Sequence, residues 1–241
     1  MLEPWRTGIV IKLEDVTPST RRFWIQIPEL EKFDFKPGQF VTLDLPIHEK
    51  KNKRWRSYSI ASAPDGTNVF ELIIVLLEEG TGTTYLFKEI KEGSEILLRG
   101  PQGVFTLPET INEDLFLICT GTGIAPFRSM AHYIHKHNIP HKNLYLIFGC
   151  RKECDALYRD ELEELEKQMP SFHYLPTFSR EEPEANKRTG YVHNVYEEIL
   201  STGNIEAKFF LCGWKNMIDE AKQRITGLGY DRKDIHLELY G

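Results

Sequence analysis

Cysteine is scarce in this chain, with four in 241 residues, at positions 119, 150, 154 and 212. No two stand as Cys-x-x-Cys, and no four fit a zinc or iron–sulfur spacing. Cys150 and Cys154 lie four apart with no second pair to complete a metal set. A disulfide scaffold is excluded, no metal is expected, and any iron–sulfur centre that serves this chain belongs to another protein. Free thiols imply a reducing compartment, so the expected location is the cytoplasm. Long apolar runs are also missing, since a membrane helix needs about 20 such residues. The opening Met1-Leu2-Glu3-Pro4-Trp5-Arg6 has neither the basic nor the apolar part of a secretion signal. There is no excess of cations either. Lys and Arg number 30 against 36 Asp and Glu, a net charge of −6, which argues against general nucleic-acid binding. No repeat and no low-complexity segment interrupts the chain.

What is present is 41% hydrophobic residues, enough for sizeable cores, in a length suited to two domains. Up to residue 108 the pattern is β-rich. Short runs of branched and aromatic residues recur at Ile9-Val10-Ile11, 23–27, 40–43, Tyr58-Ser59-Ile60-Ala61, 70–75 and Glu95-Ile96-Leu97-Leu98. Lys36-Pro37-Gly38, Pro64-Asp65-Gly66 and Lys91-Glu92-Gly93 punctuate them as turns. This spacing predicts an antiparallel barrel interrupted by one helix over about 83–90. From 109 to 241 the pattern becomes strand, helix, strand, helix, with strands at 115–120, 144–149, 172–178, 208–213 and 235–240. Helices are expected to start near Pro126, Tyr158, Val192 and Asn216. That alternation predicts a parallel five-stranded sheet covered on both faces, with ligands at the carboxyl ends of its strands.

The residues capable of chemistry cluster at strand ends. Arg56-Ser57-Tyr58-Ser59 offers a guanidinium for a phosphate, a ring that can lie flat on a planar cofactor and a hydroxyl. Taken alone it also describes a half-buried strand carrying one exposed Arg. Gly80-Thr81-Gly82-Thr83-Thr84 opens the helix of the first half, where free N–H groups and the positive helix end suit a diphosphate. An ordinary threonine cap explains it equally. Gly121-Thr122-Gly123-Ile124-Ala125-Pro126 follows a strand and opens a helix. Pro126 stands where the dinucleotide fingerprint has its third glycine, so the motif is also compatible with a plain tight turn. Ser179-Arg180 and Lys187-Arg188-Thr189-Gly190-Tyr191 supply a hydroxyl and cations for a ribose 2′-phosphate, or else form a mixed-charge surface loop with Glu181, Glu182 and Glu184. Cys212-Gly213 ends the fourth strand of the second half, and Glu238-Leu239-Tyr240 nearly ends the chain. The cationic run Lys50-Lys51-Asn52-Lys53-Arg54-Trp55-Arg56 is a solvated loop or a docking site for an acidic partner.

In this order the motifs resemble the ferredoxin–NADP reductase family over nearly the whole chain. Arg56-Ser57-Tyr58-Ser59 is similar to its flavin motif, residues 80–86 to its diphosphate segment, and Arg99-Gly100-Pro101-Gln102-Gly103 to the turn that closes its barrel. Residues 121–128 resemble its NADP-diphosphate loop, and Phe148-Gly149-Cys150-Arg151 the next strand end. Ser179, Arg180 and Tyr191 resemble its 2′-phosphate site, Cys212-Gly213-Trp214 its nicotinamide strand end, and Glu238-Leu239-Tyr240 its terminus. The chain departs from plant-type members in a shorter segment before Gly80 and in ending on Gly241 rather than on the tyrosine.

The resemblance implies an FAD-binding barrel, residues 1–108, and an NADP(H)-binding domain, residues 109–241. It implies Arg56, Tyr58, Ser59, Gly80, Gly82, Thr83, Thr84 and Tyr240 at FAD. At NADP(H) it implies Thr122, Gly123, Pro126, Arg151, Ser179, Arg180, Arg188, Tyr191, Cys212 and Gly213. Ser59, Cys212 and Glu238 would line the hydride path. NADPH would deliver hydride to the flavin, which would exchange single electrons with a ferredoxin or flavodoxin, an acidic carrier docking at Lys50, Lys51, Lys53 and Arg54. The alternatives are the reductase component of an oxygenase, and a flavin-bearing subunit of a larger complex without free turnover.

Overall fold

The computed structural model describes residues 3–185, 187–203 and 205–240. Gly241, at which the chain departs from plant-type members, lies outside them. Two compact units emerge: residues 1–107 with 128–133, and residues 108–127 with 134–241.

The first unit is built on a six-stranded antiparallel sheet in the order β4-β3-β6-β1-β2-β5, formed by β1 (Trp5–Thr17), β2 (Thr20–Gln26), β3 (Phe40–Asp44), β4 (Trp55–Ser59), β5 (Val69–Val75) and β6 (Glu95–Gln102). The outer strands meet where Ala61 N–H donates to the Glu71 carbonyl at 2.8 Å, which gives the sheet its barrel form. Alternation sends Val41, Leu43, Phe23, Ile25, Leu72, Ile74, Ile96 and Leu98 into one core. Helix α1 (Thr81–Lys88) adds Leu86 to that core. Glu71 is almost fully buried. Arg22 grips its carboxylate with two bonds at 2.7 and 3.0 Å, and Arg128, which groups with this unit, adds a third at 3.2 Å. A buried carboxylate is tolerable because its charge is matched this closely.

Two sequence readings are corrected here. β1 is 13 residues long rather than three, because Asp15–Arg21 and Glu14–Arg22 pairs lace its charged outer end to β2. Residues 99–102 are the end of β6, with Gln102 paired to Phe40, and do not form a turn.

The second unit is a parallel sheet in the order β11-β10-β7-β8-β9, formed by β7 (Asp114–Thr120), β8 (Leu144–Cys150), β9 (Phe172–Phe178), β10 (Ala207–Trp214) and β11 (Ile235–Tyr240). The central strands read as unbroken apolar runs because both faces are covered. Phe116, Ile118, Ile147, Phe209 and Leu211 pack against Val195, Tyr196 and Leu200 of α4 (Val192–Leu200) and Ile218, Ala221 and Ile225 of α5 (Lys215–Gly227). α3 (Arg159–Gln168) takes the other face, where a right-handed crossover from β8 to β9 puts it, and α2 (Ala125–Lys136) connects β7 to β8. The chain starts in the middle at β7, builds outward to β9, and then returns to the other side with β10 and β11. The strand order therefore reverses between β7 and β10, and such a switch point opens a ligand crevice at the strand ends.

Candidate functional site

In the first unit the register of β4 against β3 sorts the motif by face. Arg56 and Tyr58 lie opposite Leu43 and Val41 on the core side, and Ser57 and Ser59 lie opposite Thr42 and Phe40 on the other. Tyr58 is half-buried against the barrel core, and desolvation pushes its phenol up to about 12, although the Arg56 charge pulls the other way. The ring stays neutral and flat, as a stacking surface requires. Ser59 is buried. Arg56 is held by two carbonyls, donating from Nη1 to Trp55 at 2.8 Å and to Lys53 at 3.1 Å. Its side chain lies across Gly82 at the start of α1, where a Cβ would fall 3.0 Å from Arg56 Nε. One guanidinium is thus fixed over a helix N-terminus whose first N–H groups have no partner within the helix. That combination fits a diphosphate. Thr83 is corrected in part: its hydroxyl accepts from Leu77 N–H at 3.1 Å and bonds the Gly80 carbonyl at 3.1 Å. It shapes the loop rather than facing a ligand, while Gly80 caps the helix and Thr84 N–H closes its first turn at 2.9 Å.

In the second unit the switch point is lined by Thr120, the loop 121–124 and the end of β10. Gly123 is needed for a reason the sequence reading missed. A Cβ there would lie 2.8 Å from the Cys212 carbonyl carbon and 3.0 Å from Gly213 N, so the glycine lets this loop touch β10 and not only a ligand. Gly213 is itself at φ +142, and a Cβ on it would meet Thr120 Oγ1 at 2.5 Å. Thr120 Oγ1 is buried without a hydrogen-bond partner among the described residues. No motif marks it in the sequence beyond its place as the last residue before the glycine loop. Thr122 remains partly exposed, whereas Pro126 is buried in the first turn of α2. Cys212 pairs in register with Glu238, its thiol donating to Oε2 at 4.0 Å, and Trp214 pairs with Tyr240. Burial, and then the Glu238 carboxylate, push the Cys212 thiol well above its ordinary range, so it is a neutral donor rather than a nucleophile.

Beside it, the ends of β8 and β9 are joined. Ser179 N–H donates to the Cys150 carbonyl at 3.0 Å, and Arg180 N–H to that of Arg151 at 2.9 Å. Residues 188–190 run along the end of β9, with Gly190 N–H on the Phe178 carbonyl at 2.9 Å, and lead to exposed Tyr191. Arg151, Ser179, Arg180 and Arg188 are exposed, and none of the three arginines makes an ion pair among the described residues. Lys187, in contrast, is neutralised by Glu153 at 2.9 Å and Glu184 at 3.3 Å. Three uncommitted guanidiniums at adjacent strand ends fit a phosphate monoester. In the cationic run, Lys50, Lys51 and Lys53 are exposed, but Arg54 is engaged by Asp44 at 2.6 Å.

Fold and site together define a flavoprotein oxidoreductase with separate FAD-binding and nicotinamide-nucleotide-binding units. Residues 7–107 match the oxidoreductase FAD-binding domain family and residues 117–223 the oxidoreductase NAD-binding domain family. The chain is 34% identical, over 99% of its length and 98% of the relative's, to ferredoxin–NADP reductase B of Sorangium cellulosum. It is 27% identical to the phenol hydroxylase P5 protein of Acinetobacter pittii, covering 96% of this chain but 64% of that one. A solved ferredoxin NADP+ reductase from Neisseria gonorrhoeae with bound FAD and NADP superposes with a TM-score of 0.81 at 26% identity, covering 98% of both chains. The chain belongs to the ferredoxin–NADP reductase family. It is an FAD-dependent oxidoreductase whose cofactors are FAD and NADP(H). Among the described residues no helix is long and apolar enough to cross a membrane.

Proposed function

We propose that this protein oxidises NADPH and passes the electrons singly, through FAD, to an acidic carrier protein of the ferredoxin or flavodoxin kind, or runs the same path in reverse. The observation that carries the reading is the pair of anion cradles, one per unit and each of a different chemistry. When bound, FAD supplies the conversion of a two-electron hydride into two single electrons. The rest is the work of the chain, whose FAD domain we take to end near residue 108 and whose NADP(H) domain starts at 109.

Arg56 and the N–H groups at Gly82 and Thr83 would hold the FAD diphosphate, with Gly80 setting the helix start and Thr84, whose N–H closes the first turn, offering its hydroxyl. Tyr58 and Tyr240 offer rings to the flavin, and Ser59 offers a hydroxyl to its N5. Thr122, Gly123 and Pro126 form the loop for the NADP diphosphate. Arg151, Ser179, Arg180 and Arg188 take the 2′-phosphate, and Tyr191 the adenosine beside it. Cys212, Gly213 and Glu238 line the nicotinamide end. There the neutral Cys212 thiol and Glu238 would orient the ring carboxamide without taking up the hydride. The −6 chain presents three unpaired lysines at 50, 51 and 53, which suit an acidic carrier, with Arg54 contributing less because Asp44 engages it. Four free cysteines accord with a cytoplasmic location.

A second reading, the reductase component of an oxygenase, is favoured by relatives such as the phenol hydroxylase P5 protein and the glycine betaine monooxygenase reductase subunit of Pseudomonas aeruginosa. This chain spans 63–64% of the length of those two proteins. The test is stopped-flow reduction of purified ferredoxins and flavodoxins by the protein with NADPH. Rapid turnover with a carrier that slows as salt rises supports the proposal. Turnover with an artificial acceptor but with no free carrier favours the oxygenase reading. No NADPH oxidation with any acceptor leaves a passive subunit.

A further inference from the structure

We infer that Glu153 sets the preference for a 2′-phosphorylated nucleotide without touching it, by pinning both ends of the loop between Arg180 and Arg188. The inference rests on the phosphate site proposed above. Glu153 opens the short turn Glu153–Asp155 that follows β8. Its backbone N–H donates to Glu181 Oε1 at 3.0 Å, and its carboxylate receives Lys187 Nζ at 2.9 Å. Glu181 is the residue after Arg180, and Lys187 is the residue before Arg188. Both tie points therefore lie one position inside the two arginines, and both end on one residue. Arg159 of α3 grips the same carboxylate, and also Glu163 at 2.7 Å, which anchors the turn to the helix.

The charges explain the division of labour. The loop carries Glu181, Glu182 and Glu184, which would repel a phosphate if they swung into the site. Glu181 is spent on the Glu153 N–H, and Glu184 shares Lys187 at 3.3 Å. Lys187 is consequently a tether and not a phosphate ligand, although its sequence position suggests the opposite. With the loop held, Arg180 sits beside Arg151, whose carbonyl accepts from Arg180 N–H at 2.9 Å, and Arg188 lies along the other side of the β9 end, its carbonyl accepting from Phe178 N–H at 3.1 Å. With Lys187 released, the Arg188 end of the loop loses a tie while the backbone bonds and the Glu181 tie remain, so the Arg188 guanidinium must be ordered afresh for each phosphate bound, which costs affinity.

The experiment is calorimetric binding of adenosine 2′,5′-bisphosphate and adenosine 5′-monophosphate to the wild type, Glu153→Gln, Lys187→Met and the double variant, joined to steady-state kinetics. The wild type is expected to prefer the bisphosphate. Both single variants should lose about three- to fivefold on the bisphosphate alone, the size of effect that partly exposed ion pairs give. The double variant should lose no more than either single one, since both cut the same tether. KM for NADPH should rise by the same factor with kcat unchanged and NADH kinetics unmoved, a split that general loosening of the fold would not give. Unchanged or tighter bisphosphate binding in Glu153→Gln overturns the inference, the tighter case meaning that Glu153 merely sequesters Lys187. If the wild type itself does not distinguish the two ligands, the phosphate-site assignment falls, and this inference falls with it.

Discussion

The two units offer anion cradles of opposite kinds for the proposed function. In the barrel unit a single guanidinium, Arg56, is clamped by the carbonyls of Lys53 and Trp55 across a glycine at the start of α1. Its partners are backbone, which no single side-chain substitution can remove. In the parallel-sheet unit three exposed arginines stand on strand ends and a loop, and the loop carries ion pairs such as Lys187–Glu153. Backbone cradles give strength and a fixed geometry, whereas side chains on loops give selectivity that can be retuned without disturbing the core. The first suits a cofactor that stays, and the second a nucleotide that must leave after each turnover.

The contrast can be broken first at its strong end. Arg56→Ala should weaken FAD binding most of all, by about 100-fold, because a charge-assisted phosphate contact contributes up to about 3 kcal/mol. Fluorescence titration of the deflavinated protein with FAD measures it, and a loss under about threefold would mean that the helix end alone holds the diphosphate. Next comes Gly123→Ala in the other unit. Its Cβ meets the backbone of Cys212 and Gly213, so overpacking of about 1–3 kcal/mol is expected. A lowered unfolding midpoint, together with weaker binding of NADPH and NADH alike, checks it. An unchanged midpoint would mean that the loop can withdraw from β10.

Much of this was legible in the sequence, and the exceptions have physical causes. Ten of the eleven strands among the described residues fall on the expected runs, because branched and aromatic residues mark half-buried or buried β structure. β4 (Trp55–Ser59) instead starts three residues before the expected 58–61 and stops at Ser59, since Trp55 and Arg56 read as part of a cationic run. The outer end of β1 was missed because Lys12, Glu14 and Asp15 interrupt its apolar pattern; Lys12 pairs with Glu14 within the strand, and Glu14 and Asp15 are matched across to Arg22 and Arg21 of β2. The turn expected at 99–103 came from the family resemblance, and the pairing of Gln102 with Phe40 makes residues 99–102 strand instead. Within the site, residue types were readable but commitments were not. Thr83, Lys187 and Arg54 carry suitable groups and spend them on Gly80, Glu153 and Asp44. Thr120 was invisible because its importance arises from Gly213, more than 90 residues away.

Smaller effects sharpen the comparison at its selective end. Arg180→Ala should cut the ratio of catalytic efficiencies, NADPH over NADH, by about tenfold, because an exposed guanidinium sits at the lower end of charge-assisted contacts. Unchanged NADH kinetics would confirm that the loss concerns the phosphate alone, and an unchanged ratio would remove Arg180 from the site. The smallest effect concerns pH. His193 of α4 lies buried between Tyr196, at 2.9 Å from its Nδ1, and Glu220 of α5, at 3.4 Å from its Nε2. Desolvation lowers its pKa below the usual value, with Glu220 opposing. The fold therefore favours the neutral ring, and its contribution to stability is complete above about pH 6.5 and lost as the pH falls through the lower folded value. His193→Gln should flatten the acid side of the stability profile. A profile identical to wild type would mean that Glu220 compensates fully.

The most direct measurement is anaerobic mixing of the purified, FAD-loaded protein with NADPH or with NADH, following the bleaching of the flavin absorbance near 450 nm. The account expects one FAD per chain and complete bleaching by both nucleotides at saturation, with NADPH reaching half-maximal rate at a concentration about 10- to 100-fold lower. Stoichiometric FMN in place of FAD, or equal concentration dependence for the two nucleotides, would contradict it.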